Sequence, residues 1–497
     1  MKSGILIFSL LFSLTACQQH EKQNLQDANM ITLDTAQLNA AFDQYREPAL
    51  FHRRFKHSDV DSLIQNHRKK GALDVELIGK SVEQRAIYKL HYGAGKKVVM
   101  LWSQMHGDEP TATMALFDLF NFLTAKGDDF DAARQLIHSQ LDLHFIPMLN
   151  PDGADRYMRR NAQYIDLNRD ARDGQTVEGS LLRKMAKEIK PRYAFNLHDQ
   201  NIYYNVPGTK NPVSISMLAP AYNDARDIND VREGAMQLIV GMNKLLQGYI
   251  PNAVAKYDDT HTARGFGDNF QGWGASTVLI ESGGMKGDVE KQVIRKLNFA
   301  MILSSLLDIA QERYKQYDAK DYEQIPFNAS QLHDVVLRNV DLGTDAVALT
   351  SDLAIRRSEV TVGGDYFVRG RIEDIGDLDE SYGYDELDAK GLTFIQGKVY
   401  PKPLDSVAQL SFDQAWKLLK QGYIAIQVKD VSMDRLHNLP LVVYTQQRYI
   451  PVPQATLGGL TNFYLGNGSH FRYAVVNGYL IDLENKPEPG LYKNRVN

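Results

Sequence analysis

Two hydrophobic patterns alternate over the first two thirds of the chain. Short apolar runs that are typical of buried strands are separated by longer stretches in which apolar residues recur every three or four positions, as in helices. The predicted strands are Leu73–Ile78, Ala86–His91, Val98–Met105, Leu141–Met148, Tyr193–Leu197 and Ser276–Ile280. The predicted helices include Thr111–Ala125, with Pro110 in the tolerated first position, Gly179–Lys190, Val231–Gln247 and Lys291–Gln311. This alternation predicts an α/β fold, in which helices cover both faces of a mostly parallel mixed sheet.

The pattern changes near Phe327. Beyond this residue, short apolar runs are separated by Gly, Asp, Asn and Pro, and Phe412–Gln421 is the exception that still has a helical pattern. Turn residues at this spacing are typical of strands that are joined by short loops. We therefore predict an α/β domain over residues 34–320 and a smaller β-rich domain over residues 327–497.

The N-terminal segment follows neither pattern. A basic residue precedes an apolar run that ends just before Cys17, and this run is shorter than the roughly 20 residues of a membrane-spanning helix. We therefore predict a signal peptide over residues 1–16. The sequence Leu14-Thr15-Ala16-Cys17 resembles a bacterial lipobox, in which the cysteine is lipidated, and a polar tether follows over residues 17–33. Gln18 favours a lipid anchor in the outer membrane, facing the periplasm. The alternative is a conventional signal peptide that leaves Cys17 as a free thiol.

Composition narrows the possible functions. The chain has 497 residues, of which 43% are hydrophobic and 24% are charged, as in ordinary globular proteins. The formal net charge of -5 leaves no basic excess, so we expect no nucleic-acid partner. The single cysteine excludes disulfide frameworks, cysteine-rich zinc sites and iron–sulfur clusters.

Polar side chains with metal-binding or acid–base chemistry follow three of the predicted strands. They are His106 and Glu109 after the third strand, His198 after the fifth and Glu281 after the sixth. Ligands bind outside the carboxyl ends of strands in open parallel sheets, so these side chains can converge. Imidazole and carboxylate groups together suit zinc. Taken alone, His106 also fits a hydrogen-bonded histidine at a strand end.

A second polar group lies in the segment from Asn150 to Arg169, which reads NPDGADRYMRRNAQYIDLNR. This segment begins at the end of a predicted strand and contains several arginines, of which we expect Arg156 and Arg160 to lie on a solvated face. The common phosphate-loop, H-E-x-x-H and G-x-S-x-G signatures are absent from the sequence.

The order and spacing of these residues resemble the zinc carboxypeptidase (carboxypeptidase A-like) family, and the N-terminus resembles that of a bacterial lipoprotein member. The matching motifs are His106-x-x-Glu109, Asn150-Pro151-Asp152-Gly153, Arg159-x-Asn161, Asp166-x-Asn168-Arg169, His198 and Glu281, together with a lead-in hairpin at Ile78-Gly79-Lys80-Ser81 and Arg85. The resemblance covers roughly residues 45–315 and implies a carboxypeptidase-like fold for this part of the chain.

The resemblance also implies the parts of a catalytic centre. His106, Glu109 and His198 are expected to bind one Zn²⁺ per chain, with an open position that is typical of catalytic zinc. Glu281 is expected to act as the general base, and Arg159 is expected to stabilise the oxyanion.

Residues for substrate binding are implied in the same way, with two departures from the family pattern. Asn168 and Arg169 are expected to bind the terminal carboxylate of a peptide substrate. The family usually has Asn where this chain has Asp170, which we expect to add negative charge beside Arg169. The family's mobile tyrosine has no clear match, and Tyr257 or His261 is expected to take its place.

The resemblance implies hydrolysis of the C-terminal residue from peptides with a free C-terminal carboxylate. The predicted location in the cell envelope makes cell-wall peptides one candidate substrate. Two other interpretations remain open. The domain could bind zinc and ligand without turnover, or it could be a zinc amidase or deacylase that acts on a non-peptide amide.

Overall fold

The computed structural model describes residues 30–343, 347–430, 435–448 and 450–497. The predicted signal peptide, Cys17 and most of the predicted tether lie outside these residues. No helix within the described ranges is both long enough and apolar enough to cross a membrane.

An eight-stranded mixed sheet forms the centre of the α/β part. Its strands are β1 (Asp74–Lys80), β2 (Ala86–Tyr92), β3 (Lys97–Trp102), β4 (Leu141–Ile146), β5 (Tyr193–Asp199), β6 (Ile215–Leu218), β7 (Val254–Lys256) and β8 (Ser276–Ser282). Their spatial order is β1-β2-β4-β3-β5-β8-β6-β7. The four central strands β4, β3, β5 and β8 are parallel, whereas the hairpin β1–β2 and strand β6 join them in antiparallel fashion. The carboxyl ends of the central strands therefore meet at one edge of the sheet.

Helices cover both faces of this sheet. They are α1 (Thr35–Tyr45), α2 (His57–Lys70), α3 (Thr111–Thr124), α4 (Asp131–Gln140), α5 (Pro151–Arg156), α6 (Val177–Ile189), α7 (Asp230–Gln247), α8 (Phe266–Gly272) and α9 (Gln292–Gln311). The larger core cluster lies between the sheet and helices that include α3, α7 and α9, and it contains Phe117, Phe195 and Phe299. A smaller cluster contains Trp102 and Phe270 and lies against α6 and α8 on the other face. The predicted fold class is confirmed.

A β-rich region follows the α/β part. Its main sheet contains β9 (Leu332–Asp341), β10 (Thr350–Val362), β11 (Asp365–Gly376), β12 (Tyr382–Asp388), β13 (Thr393–Gln396), β18 (Asn462–Asn467), β19 (His470–Val476) and β20 (Tyr479–Asp482). Shorter pairings join β14 (Lys398–Val399), β15 (Tyr423–Val428) and β17 (Val442–Thr445), and also β16 (Leu436–His437) and β21 (Asn494–Arg495); helix α10 is Phe412–Lys420. Arg54 and Glu359 form an ion pair of 2.7 Å between the two parts. The exact domain boundaries stay predictions.

The elements that the sequence predicted are present, with shifted ends. Strand β3 ends at Trp102 rather than at Met105, because Gln104 takes a positive φ of 47° and turns the chain toward the site. Pro110 is the N-cap of α3 rather than its first residue. The short strands β6 and β7 were not predicted, since four and three residues are too few to show a period.

Candidate metal centre and active site

The His106–Glu109 turn crosses the carboxyl edge of the sheet and packs closely on the following segment. A Cβ atom on Gly107 would lie 2.0 Å from the carbonyl carbon of Gly153, so this contact requires a glycine. Gly153 lies in α5, whose N-terminus is capped by the Asn150 side chain, with Oδ1 accepting from the Gly153 amide at 2.9 Å. The N-P-D-G motif thus supports the turn that carries His106.

Three buried side chains converge at this edge. The Nδ1 atoms of His106 and His198 lie 2.8 and 2.7 Å from the two carboxylate oxygens of Glu109, and 3.2 Å from each other. Ligand atoms at the usual 2.0–2.1 Å from a tetrahedral zinc are separated by about 3.3 Å. The observed spacing and the donor types therefore fit zinc, as the sequence predicted for these three residues.

The charges in this cluster depend on one another. Burial opposes protonation of His106, but the carboxylates of Glu109 and Asp166 outweigh it and raise the pKa of His106 to about 9. Burial also favours the neutral form of Glu109, but the two neighbouring imidazoles lower its pKa below the usual value. Burial lowers the pKa of His198. Because a ligating histidine must be deprotonated, zinc affinity is expected to rise with pH as His106 loses its proton.

Asp166 and Arg159 surround the three ligands. Asp166 Oδ1 lies 3.0 Å from His106 Nε2, which holds the imidazole with Nδ1 toward the cluster. Arg159 Nη1 donates to Glu109 at 3.0 Å, and its Nε donates to Asp166 at 3.2 Å. The sequence interpretation gave Asp166 no role of its own, although its place in the D-x-N-R motif was the available signal.

Asp199 is a further residue that the sequence interpretation missed. Its backbone amide donates to Glu109 Oε2 at 3.2 Å, and its side chain accepts from Thr111 at 2.6 Å and from Lys291 at 2.9 Å. These contacts tie the end of β5 to the first residue of α3 and thereby fix the orientation of the Glu109 carboxylate.

Glu281 lies beside this centre. It pairs with His198 in the register of the parallel strands β5 and β8, so the two side chains lie on the same face of the sheet. Burial and the negative charge of Glu109 raise the pKa of Glu281 well above its usual value. A carboxyl group at this position can accept and release a proton, which suits a general base or acid.

Asn168 and Arg169 occupy the rim of the same site. Asn168 Oδ1 accepts from the Phe266 amide at 2.8 Å, so its NH₂ group is the end that can donate to a ligand. Arg169 is exposed, and its Nη1 donates to the Asn168 carbonyl at 2.8 Å. Asp170, which we expected to add negative charge beside Arg169, is buried. Its carboxylate accepts hydrogen bonds from the backbone amide and the Oγ1 hydroxyl of Thr176 at 2.7 and 2.6 Å, at the N-terminus of α6.

Tyr257 and His261, the two candidates for the place of the mobile tyrosine, lie in different surroundings. Tyr257 follows β7, and its ring packs edge-on against Tyr204 at 6.0 Å. Burial raises the pKa of Tyr257, and the nearby charge of Glu281 raises it further, so this tyrosine borders the candidate base. His261 pairs with Asp224 through Nδ1 at 2.6 Å.

A family model matches the segment that carries most of this centre. Residues 62–204 match the family model described as zinc carboxypeptidase, so the predicted resemblance is confirmed for this segment, which contains His106, Glu109, Arg159 and His198. Glu281 lies outside the matched segment.

Two curated proteins are similar to parts of the chain. A carboxypeptidase of Arabidopsis thaliana, SOL1, is 41% identical over 71 residues, which are 14% of this chain and 14% of that protein. An uncharacterised protein of Zymomonas mobilis is 28% identical over 153 residues, which are 31% of this chain and 38% of that protein. The chain thus spans well under half of the length of either relative.

Solved structures with a similar arrangement include two carboxypeptidases. A metallo-carboxypeptidase from Burkholderia cenocepacia is 18% identical with a TM-score of 0.42, and the match covers 52% of this chain and 70% of that one. Carboxypeptidase A from Helicoverpa armigera is 18% identical with a TM-score of 0.43, and the match covers 60% of this chain and 82% of that one.

Proposed function

We propose that the protein is a zinc-dependent metallocarboxypeptidase that removes the C-terminal residue from peptides with a free terminal carboxylate. The observation that carries this proposal is the convergence of His106, Glu109 and His198, within 4.8 Å of one another, beside Glu281. A structural metal would need no base at this position. One Zn²⁺ is proposed for this centre.

The chain's own residues divide the chemical work. When bound by the two histidines and Glu109, zinc supplies the Lewis acidity that polarises a scissile carbonyl and acidifies water. Glu281 accepts the proton of the attacking water and donates it to the leaving amine. Arg159, which is half-exposed at the rim, donates hydrogen bonds to the developing oxyanion.

Substrate orientation comes from the rim. The Asn168 NH₂ group and the Arg169 guanidinium bind the terminal carboxylate, because a charge-assisted pair with arginine fixes both position and angle. In this proposal, Tyr257 helps to close the site over the substrate, and His261 contacts the substrate.

We place this activity in the cell envelope. Lipidation of Cys17 would anchor the protein, with outer-membrane sorting and a periplasmic active site, and the substrates would be scavenged peptides or cell-wall peptides. This part of the proposal rests on the sequence around Cys17.

The decisive experiment compares free and amidated peptides. The full chain, loaded with zinc, is incubated with a mixed peptide library and with the same peptides carrying C-terminal amides, and the products are identified by mass spectrometry. Loss of single C-terminal residues from the free peptides alone supports the proposal. Equal cleavage of the amides would favour an amidase, and no cleavage of either set with zinc bound would favour the binding protein. His261→Ala and Tyr257→Phe test the two candidates for the place of the mobile tyrosine.

A further inference from the structure

A second group of histidine and carboxylate side chains lies in the same sheet, toward the amino ends of its parallel strands. His91 is near the end of β2, Asp142 and His144 are on β4, and Asp74 begins β1. Strand register brings them together, since His91 pairs with both Asp74 and His144, and Asp142 is two residues before His144 on the same face. Asp142 is at the amino end of β4, whereas the first centre lies at the carboxyl ends of the parallel strands.

The donor atoms in this second group point toward one another. His91 Nε2 and His144 Nε2 lie 2.8 and 3.2 Å from the same oxygen of Asp142, and the two imidazole centroids are 5.0 Å apart. All three ligand atoms lie within 4.8 Å of one another. The separation of about 3.3 Å between ligands on a tetrahedral zinc is close to both nitrogen–oxygen distances.

The position of Asp74 indicates which nitrogen of His91 is the ligand. Asp74 Oδ2 lies 3.1 Å from His91 Nδ1, so both ring nitrogens face a carboxylate oxygen. A neutral imidazole has a single N–H and can donate to one of them, so its other ring nitrogen faces a carboxylate with a lone pair, and a cation at that nitrogen would relieve this repulsion. With a metal at Nε2, the Nδ1 hydrogen bond to Asp74 becomes the carboxylate–histidine arrangement found behind metal ligands. The competing cation is a proton on His91.

Charge and access also suit a divalent ion. Asp74 and Asp142 supply two negative charges, and the nearest cation of β2, Lys89, is paired with Glu76 at 2.6 Å. The side chains of His91 and Asp142 are 27% and 29% exposed, so an ion can enter and water can complete its coordination.

We propose that His91, Asp142 and His144 bind a second divalent metal ion, with zinc as the preferred ion, and that Asp74 positions His91. The donor set favours zinc, nickel or copper over magnesium and calcium, because it has two imidazoles. The ion joins the β1–β2 hairpin to the central sheet. The pairing between β2 and β4 consists of three residue pairs, so one cross-strand ion adds substantially to this junction. The role is structural and does not depend on the proposed function.

The hairpin connects this site with the first centre. The turn after β1 is held by Asp152 of the N-P-D-G motif, which accepts from Ser81 at 2.7 Å and from the Glu83 amide at 3.0 Å. Asp152 thus holds the hairpin at its turn, and the second ion would hold it at its open end.

The test counts zinc per folded chain. The full chain is dialysed against micromolar zinc and then against metal-free buffer, and zinc is measured by elemental mass spectrometry. We expect two zinc ions in the wild type, and one in His144→Gln and in His91→Gln. His198→Ala, which removes a ligand of the first centre, should lose the other ion. His138→Ala is the matched control, because this exposed histidine lies beside Tyr92 of the same hairpin, with ring centroids 5.3 Å apart, but outside the cluster.

A second measurement keeps the test informative if a variant folds poorly. In the His198→Ala background, zinc should raise the melting temperature and slow amide exchange in residues 86–92, and His144→Gln should raise the apparent Kd for this effect at least tenfold. Three results would overturn the proposal. They are an unchanged zinc count in His144→Gln, a loss of zinc in His138→Ala equal to that in His144→Gln, and a change in melting temperature that needs millimolar zinc when His91 and His144 are intact.

Discussion

Asp166→Asn tests whether Asp166 positions a metal ligand. The carboxylate lies 3.0 Å from His106 Nε2 and 3.2 Å from Arg159 Nε, so both contacts are charge-assisted. Asn keeps the size and one acceptor oxygen but removes the charge. A hydrogen bond to a charged group contributes about 1.5–3 kcal/mol, against about 0.5–1.5 kcal/mol for a neutral one.

The expected loss in zinc binding is about 1–2 kcal/mol, which corresponds to a rise in Kd of about 5- to 30-fold. The assay is a competitive zinc titration against a chromophoric chelator at fixed pH, with circular dichroism and melting temperature as measures of folding. The matched control is Asp170→Asn. This buried carboxylate is close in sequence but bonds to Thr176 and the Gln175 amide, so its loss should lower the melting temperature without weakening zinc binding.

The comparison between the two variants decides the question. A folded Asp166→Asn protein with a zinc Kd within about threefold of the wild type would refute the positioning role, since the charge-assisted bond would then contribute nothing. Equal weakening by Asp170→Asn would instead assign the effect to the stability of the loop as a whole.

Further variants test the proposed base, the carboxylate-binding arginine, the glycine of the His106–Glu109 turn and the proposed lipid anchor. Glu281→Gln should retain zinc but slow single-turnover cleavage by about 10²- to 10⁴-fold, and unchanged turnover would exclude it as the base. Arg169→Ala should raise KM mainly for peptides with a free carboxylate; an equal loss on amidated peptides would indicate a structural role. Gly107→Ala should lower the melting temperature and the zinc content together, because its Cβ would overlap Gly153. A variant with the melting temperature and zinc content of the wild type would contradict this close contact. Cys17→Ser should release the protein from the membrane fraction, and a wild type without an acyl mass would refute the anchor.

Much of the fold could be predicted because the central strands are buried on both faces. Ser276–Ser282 is buried along its whole length, so its apolar run is a strong signal, and the 20 residues of helix α9 are too many for a strand. The first helix, α1, was missed, since it spans 11 residues and buries Leu38, Ala41 and Phe42 alone. Three apolar positions at helical spacing are too few to distinguish a helix from a chance arrangement of apolar residues.

The sequence by itself determined which residues end the central strands, and therefore which side chains can meet. A parallel sheet brings the carboxyl ends of its strands to one edge, so His106, Glu109, His198 and Glu281 were predicted to converge without any knowledge of distance. The family resemblance then assigned the roles of zinc ligand and general base to these positions, because the family's motifs occur here in the same order.

Tertiary structure alone decided where each remaining carboxylate points. Asp166 and Asp170 are four residues apart in the sequence, yet one orients His106 and the other accepts hydrogen bonds from Thr176, the N-cap residue of α6. His91 and His144 belong to strands that are distant in sequence, and their contact depends on the register of β2 with β4. Register and side-chain direction arise from packing between elements, which local pattern does not encode, since a one-residue shift would turn His91 to the other face.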